Sequence, residues 1–211
     1  MQNLLSIKKT DLIIKRSFDI FFSVLLLIII VPIISIAWIA ASIDTKMNGL
    51  FTQNRIGRYG IPFKVYKIRT MKPSLLIKTS VSTTNDLRIT RFGFLLRLAK
   101  IDELPQLFNI LKGEMSFVGP RPDVKGFADL LEGDDRIILS IRPGITGPAS
   151  IKYRNEERIL SHYPDAEAHN REVIWPDKVK INREYIKNYQ FAKDIKYIAI
   201  TLLGLNIYEL S

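Results

Sequence analysis

From Ile20 to Ile43 this chain carries no charged side chain, and that run limits what the remainder can become. Roughly 20 uncharged residues is the length of a bilayer-crossing helix, so burial in a water-soluble core is the weaker reading. A cleaved leader fits poorly too. The run is longer than a leader's apolar core and continues into a polar, basic chain. Pro32 falls in the middle, where it removes one helical hydrogen bond and bends the axis. Lys8, Lys9, Lys15 and Arg16 precede the run, and Lys46, Arg55, Arg58 and Lys64 follow it. A crossing helix should show Lys and Arg concentrated on one side. The tie favours a re-entrant segment, helix-break-helix, that returns to the face it entered. Ser35 is then a candidate partner for backbone groups freed at the bend. A proline-kinked crossing helix is the alternative. The predicted organisation is a basic segment at 1–19, a re-entrant membrane helix at 20–43 kinked at Pro32, and one folded domain at 44–211.

Composition narrows the chemistry. A chain of 211 residues suits one domain of ordinary size. It has no cysteine, which excludes disulfides and thiolate chemistry. The histidines, His162 and His169, lie in a polar stretch, so any metal should be held by oxygen. The formal net charge of +10 suits anionic lipid and anionic substrates. Nucleic acid would also explain it, but no nucleic-acid module signature appears and the basic residues do not alternate with stacking aromatics.

Beyond Asp44 the expected elements are a short strand pair around Phe51–Met71, a loop at Lys72–Asn85, and helices at Asp86–Ala99 and Asp102–Lys112. Helices near Val124–Glu132 and Asp177–Tyr189 follow. In Phe191–Leu203 the apolar residues recur at helical spacing, as core packing or as an interfacial amphipathic helix. The fold class is therefore α+β, helix-rich with a small β element.

The run Lys100–Asp123, KIDELPQLFNILKGEMSFVGPRPD, concentrates the chemistry. Asp102 reads as an N-cap, Pro105 falls in the first turn, and Gly113 is placed to end the helix. An isolated Asp-Glu there would ordinarily cap the helix and complement its dipole. Here three features add a second role. A helix N-terminus attracts anions. Consecutive helical residues point apart, so Asp102 can face a phosphorus while Glu103 turns to a metal ion. Finally, Arg121 is locked between Pro120 and Pro122, and its planar fork suits phosphate oxygens. Four further basic residues accompany it: Lys67 and Arg69 on one strand face, Arg142 before a Pro-Gly turn, and Arg154 in KYRNEE.

These residues resemble the monotopic polyprenyl-phosphate phosphoglycosyl transferases, the small bacterial sugar transferases. The likeness runs from about Lys15 to about Leu203. It includes Lys15-Arg16-Ser17-Phe18-Asp19, Phe51 to Gly57, Tyr66 to Met71, Ile101 to Pro122 and Arg142 to Gly147. The resemblance implies that Asp102 attacks the sugar-proximal phosphate of a nucleotide (UDP) sugar, releasing UMP and leaving an aspartyl phosphosugar. A polyprenyl phosphate, undecaprenyl phosphate, then displaces the aspartate. It also implies Mg²⁺ at Glu103, and phosphate or substrate contacts at Arg97, Arg121 and Arg154 and, less securely, Lys67. The implied setting is the cytoplasmic face of the bacterial inner membrane, at the first step of a surface glycoconjugate pathway. Partners are the donor, the lipid acceptor and membrane lipid, with no nucleic acid; a homo-oligomer stays open.

The chain departs from the family pattern at Pro148, Val31 and Asn182, where tryptophan, serine and aspartate are usual. Pro148 and Asn182 bear on donor identity. Two other classes compete. A membrane-anchored glycosyltransferase would release a nucleoside diphosphate, and a non-enzymatic adaptor would bind anionic lipid or nucleic acid through its charge.

Overall fold

The computed structural model describes residues 7–73 and 86–205. The predicted loop at Lys72–Asn85 lies outside them from residue 74 onward. The first helix, α1 (Lys9–Thr45), is 37 residues long and runs through Pro32 without the break expected there. It starts well before the uncharged run and is long and apolar enough to cross a membrane. Lys15, Asp19, Ser23 and Leu27, then Ile34, Ala37, Ala41 and Thr45, are buried. Steps of three and four residues make one stripe along the helix. The outward face is not polar, as on a water-soluble helix; it bears Phe21, Ile28, Ile29, Ile36, Ile39 and Ile43. The Ser35 hydroxyl bonds the Val31 carbonyl at 2.9 Å, rather than the Ile28 carbonyl that Pro32 cannot reach.

After α1 come β1 (Leu50–Ile56) and β2 (Pro62–Ile68), an antiparallel hairpin with Leu50 opposite Ile68 and Ile56 opposite Pro62. This is the expected strand pair. The next helix, α2 (Arg91–Leu98), starts later than predicted because the Thr90 side chain caps it, accepting from Gly93 N at 2.8 Å. The predicted helix Asp102–Lys112 is split. Ile101–Glu103 is a 3₁₀ turn, and α3 begins only at Gln106 and runs to Lys112. Pro105 has no N–H to give the Ile101 carbonyl, so Leu104 N bonds it instead, at 3.2 Å. Asp102 is therefore not the N-cap of α3, and the anion-attracting helix start expected beside it is absent. Gly113 ends α3 at φ 85°, as expected.

Short strands β3 (Ser116–Val118) and β4 (Gly144–Thr146) pair in parallel, Ser116 with Gly144 and Val118 with Thr146. A Cβ on Gly144 would lie 2.2 Å from Gly119 N, so only glycine lets these two segments touch. The predicted helix near Val124–Glu132 is only a 3₁₀ turn at Ala128–Leu130. Asp129 Oδ1 accepts from the N–H groups of Gly126 and Phe127, which holds the chain in a turn. The remaining helices are α4 (Pro148–Lys152), α5 (Glu156–Leu160), α6 (Ala166–His169), α7 (Trp175–Lys187) and α8 (Phe191–Leu203). The whole is helix-rich with small sheets, as read from the sequence.

Two apolar cores lie side by side. One gathers Ile56, Val118, Ile137, Ile138, Ile141, Val179 and Ile186. In the other, Leu27, Ile34, Ala37 and Ala41 of α1 meet Val65, Ile68, Leu96, Leu107 and Ile110. Phe117 packs against both. The apolar helix is thus a wall of the domain.

Candidate active site

Three elements converge on the Asp-Glu pair. The 3₁₀ turn carries Asp102 and Glu103, β2 carries Lys67, and the loop after β3 carries Arg121. Glu103 Oε1 accepts from Lys67 Nζ at 3.0 Å and from Arg121 Nη2 at 2.5 Å, and Oε2 lies 3.5 Å from Arg121 Nη1. The guanidinium meets the carboxylate as a fork. Burial alone would raise the Glu103 carboxyl, but Arg121 and Lys67 outweigh it and hold the group well below the usual carboxylate range. Burial in turn lowers the Lys67 ammonium. The charge of Glu103 raises Arg121.

Asp102 is in the opposite condition. It is 6% exposed, and its Oδ1 is buried without a hydrogen-bond partner. Burial first, and then the neighbouring Glu103 charge, push its carboxyl up, against the pull of Lys67, Arg97 and Lys100. One turn thus presents a fully ionised carboxylate gripped by two cations and a desolvated carboxylate with a free oxygen. A buried polar atom left unpaired calls for an explanation, and catalysis or ion binding is a common one.

The other basic residues singled out from the sequence have different surroundings. Arg97 Nη1 lies 3.2 Å from Glu157 Oε1 on α5, and its charge acts on Asp102. Arg69 donates from Nε to the Asn48 carbonyl at 2.7 Å and sits over the Phe51 ring, so it does not share the Lys67 contact. Arg142 donates to the Gly113 carbonyl at 2.7 Å, beside the C-terminus of α3. Arg154 reaches the Ile200 carbonyl at 3.3 Å and lines a groove of about 520 Å³ with Lys152, Asn155, Arg158 and His162. Lys67, Arg97 and Arg121 therefore surround the pair, while Arg69, Arg142 and Arg154 bond backbone carbonyls elsewhere.

Sequence reasoning missed a second set of charges behind Arg121. Burial raises Asp123 to about 6, against Lys178 and Arg55, while Glu156 adds to the rise. Burial and the Arg121 charge lower Arg55, which donates to the Pro122 carbonyl at 3.3 Å. Lys178 Nζ pairs with Glu156 at 2.7 Å. Asp123 directly follows Gly-Pro-Arg-Pro, and that adjacency was its one signal; Glu156 and Lys178 sit on different helices and gave none. Pro148 opens α4. Asn182 is buried with an unpartnered Oδ1. Among the described residues no group of three His, Cys, Asp or Glu side chains converges to hold a metal.

The chain is similar to several known proteins over most of its length. The chain is 42% identical over 124 residues to a putative undecaprenyl-phosphate N-acetylgalactosaminyl 1-phosphate transferase of Bacillus subtilis, covering 58% of this chain and 69% of that one. It is 35% identical to the exopolysaccharide production protein PSS of Rhizobium leguminosarum, over 92% of this chain and 96% of the relative. It is 34% identical to the UDP-glucose:undecaprenyl-phosphate glucose-1-phosphate transferase of Escherichia coli, over 90% of this chain but 39% of that longer protein. A family model described as bacterial sugar transferase matches residues 10–206, and the chain belongs to that family.

Proposed function

We propose that this protein moves a sugar phosphate from a UDP-sugar to undecaprenyl phosphate, through a covalent intermediate on Asp102. The observation that carries the reading is the buried Asp102 carboxylate with an unpaired oxygen, next to a Glu103 held by Lys67 and Arg121. An Asp102 oxygen attacks the sugar-proximal phosphorus, and the bond to the bridging oxygen breaks, releasing UMP. A phosphate oxygen of the lipid then attacks the same phosphorus and frees Asp102. Carboxylates serve as such nucleophiles elsewhere. Desolvation fits the role, because a dry carboxylate is not shielded from its target by bound water. In this reading Arg121 and Lys67 turn from Glu103 to diphosphate oxygens, and Arg97 neutralises charge near Asp102.

Mg²⁺ fits the residues present: it favours one or two carboxylates plus substrate phosphates, and Glu103 stays ionised. Glu103 would hold it, and the ion would neutralise charge on the diphosphate.

The names of the relatives support the donor and acceptor: the E. coli protein is named for transfer of glucose 1-phosphate from UDP-glucose to undecaprenyl phosphate, and the Rhizobium protein for exopolysaccharide production. The setting we propose is the cytoplasmic face of the inner membrane, at the start of a surface polysaccharide or glycan. The re-entrant topology of 20–43 belongs to this reading. It is supported by burial at both ends of α1, Lys15 and Asp19 on one side and Ala41 and Thr45 on the other, against one domain. The exposed Phe94, Leu95 and Leu98 of α2, and Leu202 and Leu203 of α8, support interfacial contact.

The reaction is tested by incubating the protein with a labelled UDP-sugar, digesting it and analysing the peptides by mass spectrometry. A phosphosugar on Asp102 and release of UMP are expected; release of UDP would identify a glycosyltransferase. Topology is tested with Lys8→Cys and Lys46→Cys in this cysteine-free chain. Both should resist a membrane-impermeant thiol reagent in intact cells, and labelling at position 8 alone would establish a crossing helix.

A further inference from the structure

A basic pair just before a membrane segment ordinarily serves lipid headgroups. Lys15, Arg16 and Asp19 do something else: all three bond to the folded domain. The Lys15 side chain is 7% exposed, and its Nζ lies 2.5 Å from Oδ2 of Asp194 on α8, itself 3% exposed. Asp194 also accepts from the hydroxyls of Tyr185, at 2.6 Å on Oδ1, and Tyr189, at 3.0 Å on Oδ2. Arg16 donates from Nη1 to the Ile110 carbonyl at 2.7 Å and from Nη2 to the Leu111 carbonyl at 2.9 Å. These carbonyls belong to the last turn of α3, where i+4 N–H partners run out; the Ile110 carbonyl also accepts from Gly113 N at 2.9 Å. Asp19 Oδ1 accepts from Ser116 Oγ at 3.0 Å and from Phe117 N at 3.1 Å, both on β3.

Burying an ion pair costs desolvation, and apolar packing alone would hold a helix as firmly. What directed bonds add is register: each closes at one distance and one rotation of α1. The elements they grip are not arbitrary. The Asp102–Glu103 turn leads into α3, and β3 leads directly into Arg121. We propose that Lys15, Arg16 and Asp19 form an internal latch of positioning residues, which fixes the height and tilt of the Asp102 site over the bilayer. A lipid acceptor cannot adjust its own depth freely. A site displaced along the membrane normal would then meet its phosphate poorly while still binding a soluble donor.

The proposal rests on the transferase reading, so one arm of its test needs no turnover. Full-length protein in detergent is unfolded thermally as the parent, Lys15→Met, and Lys15→Met with Asp194→Asn. The single change strands a buried carboxylate and should lower Tm clearly. The double change removes that charge, keeps an acceptor for one tyrosine hydroxyl and offers an amide N–H to the oxygen of the other, and should recover most of the loss. An unchanged Tm in Lys15→Met would overturn the latch.

The second arm uses Arg16→Gln in phosphatidylcholine vesicles containing increasing phosphatidylglycerol. Activity toward long-chain polyprenyl phosphate in the vesicles should fall roughly tenfold or more, as small misplacements can. The KM for the nucleotide sugar should hold, as should activity toward a short-chain polyprenyl phosphate in detergent and the dependence of vesicle binding on phosphatidylglycerol. Equal losses with both acceptors would reduce Arg16 to a merely structural residue. A weakened phosphatidylglycerol dependence would make it a headgroup contact. Either result overturns the proposal.

Discussion

Two ion-pair knots in this molecule use the same chemical groups and leave them in different states. At Asp194 the accounts close: Oδ2 takes Lys15 and Tyr189, Oδ1 takes Tyr185, and lysine and aspartate are almost wholly buried. At the Asp102–Glu103 turn they do not. One carboxylate oxygen takes two cations, the adjacent residue has a buried oxygen with no partner, and Arg121 is 42% exposed. A fully satisfied network rigidifies what it joins. A network with an unpaired atom and an exposed cation remains able to accept a ligand. The difference leaves one knot closed and the other open to a ligand.

Exchanging Asp102 for Asn puts that distinction under the greatest strain. Amide and carboxylate are nearly isosteric, so Asp102→Asn should keep the Tm of the parent while turnover falls by about 10⁴-fold or more. A stable variant with near-normal rates would place Asp102 on the architectural side. Next comes Arg121. If its fork engages phosphate, Arg121→Lys should lose nearly as much kcat/KM as Arg121→Ala, about 10²–10³-fold each. Near-silent rates in both would make it a solvated turn residue.

The other knot should answer in stability. Tyr185→Phe removes one hydroxyl from a charged acceptor and should cost about 1.5–3 kcal/mol in denaturant unfolding, with kcat unchanged. A selective loss of kcat would blur the comparison. The smallest effect belongs to Asp123. Its folded value of about 6 lies above the ordinary 3.8, so the folded state binds more protons than the unfolded between those values. Stability from this group is present below about pH 4 and is lost as pH rises toward 6. Asp123→Asn should therefore be more stable than the parent at pH 7 and equal to it at pH 4. Equal stability at both would show that the group is not so buried.

Local chemistry was readable from the chain; what tertiary neighbours decide was not. The Asp-Glu pair and Arg121 stood out because the prolines and glycines that hold them are adjacent in sequence, and alternation put Lys67 on a strand. Alternation also coupled Arg69 to Lys67. Yet Arg69 lies just past the end of β2 and finds the Asn48 carbonyl instead. Arg142 looked like a phosphate ligand because a Pro-Gly turn follows it. That a helix C-terminus would sit against it depends on where α3 packs, which no window of sequence reveals. The Asp102–Lys112 helix was drawn one turn too long because apolar spacing cannot register a missing N–H at Pro105. Lys15 and Arg16 were visible as charges, but their partners, Asp194 and the end of α3, lie far along the chain.

The buried stripe of α1 has a consequence for how the protein is made. Leu27, Ile34, Ala37 and Ala41 complete the core that contains Val65, Ile68, Leu96, Leu107 and Ile110. A version cut after Thr45 to obtain a soluble enzyme would turn those side chains toward water. The domain therefore cannot close its core until α1 is in place, so the first 45 residues act as part of the folding unit and not as a removable leader.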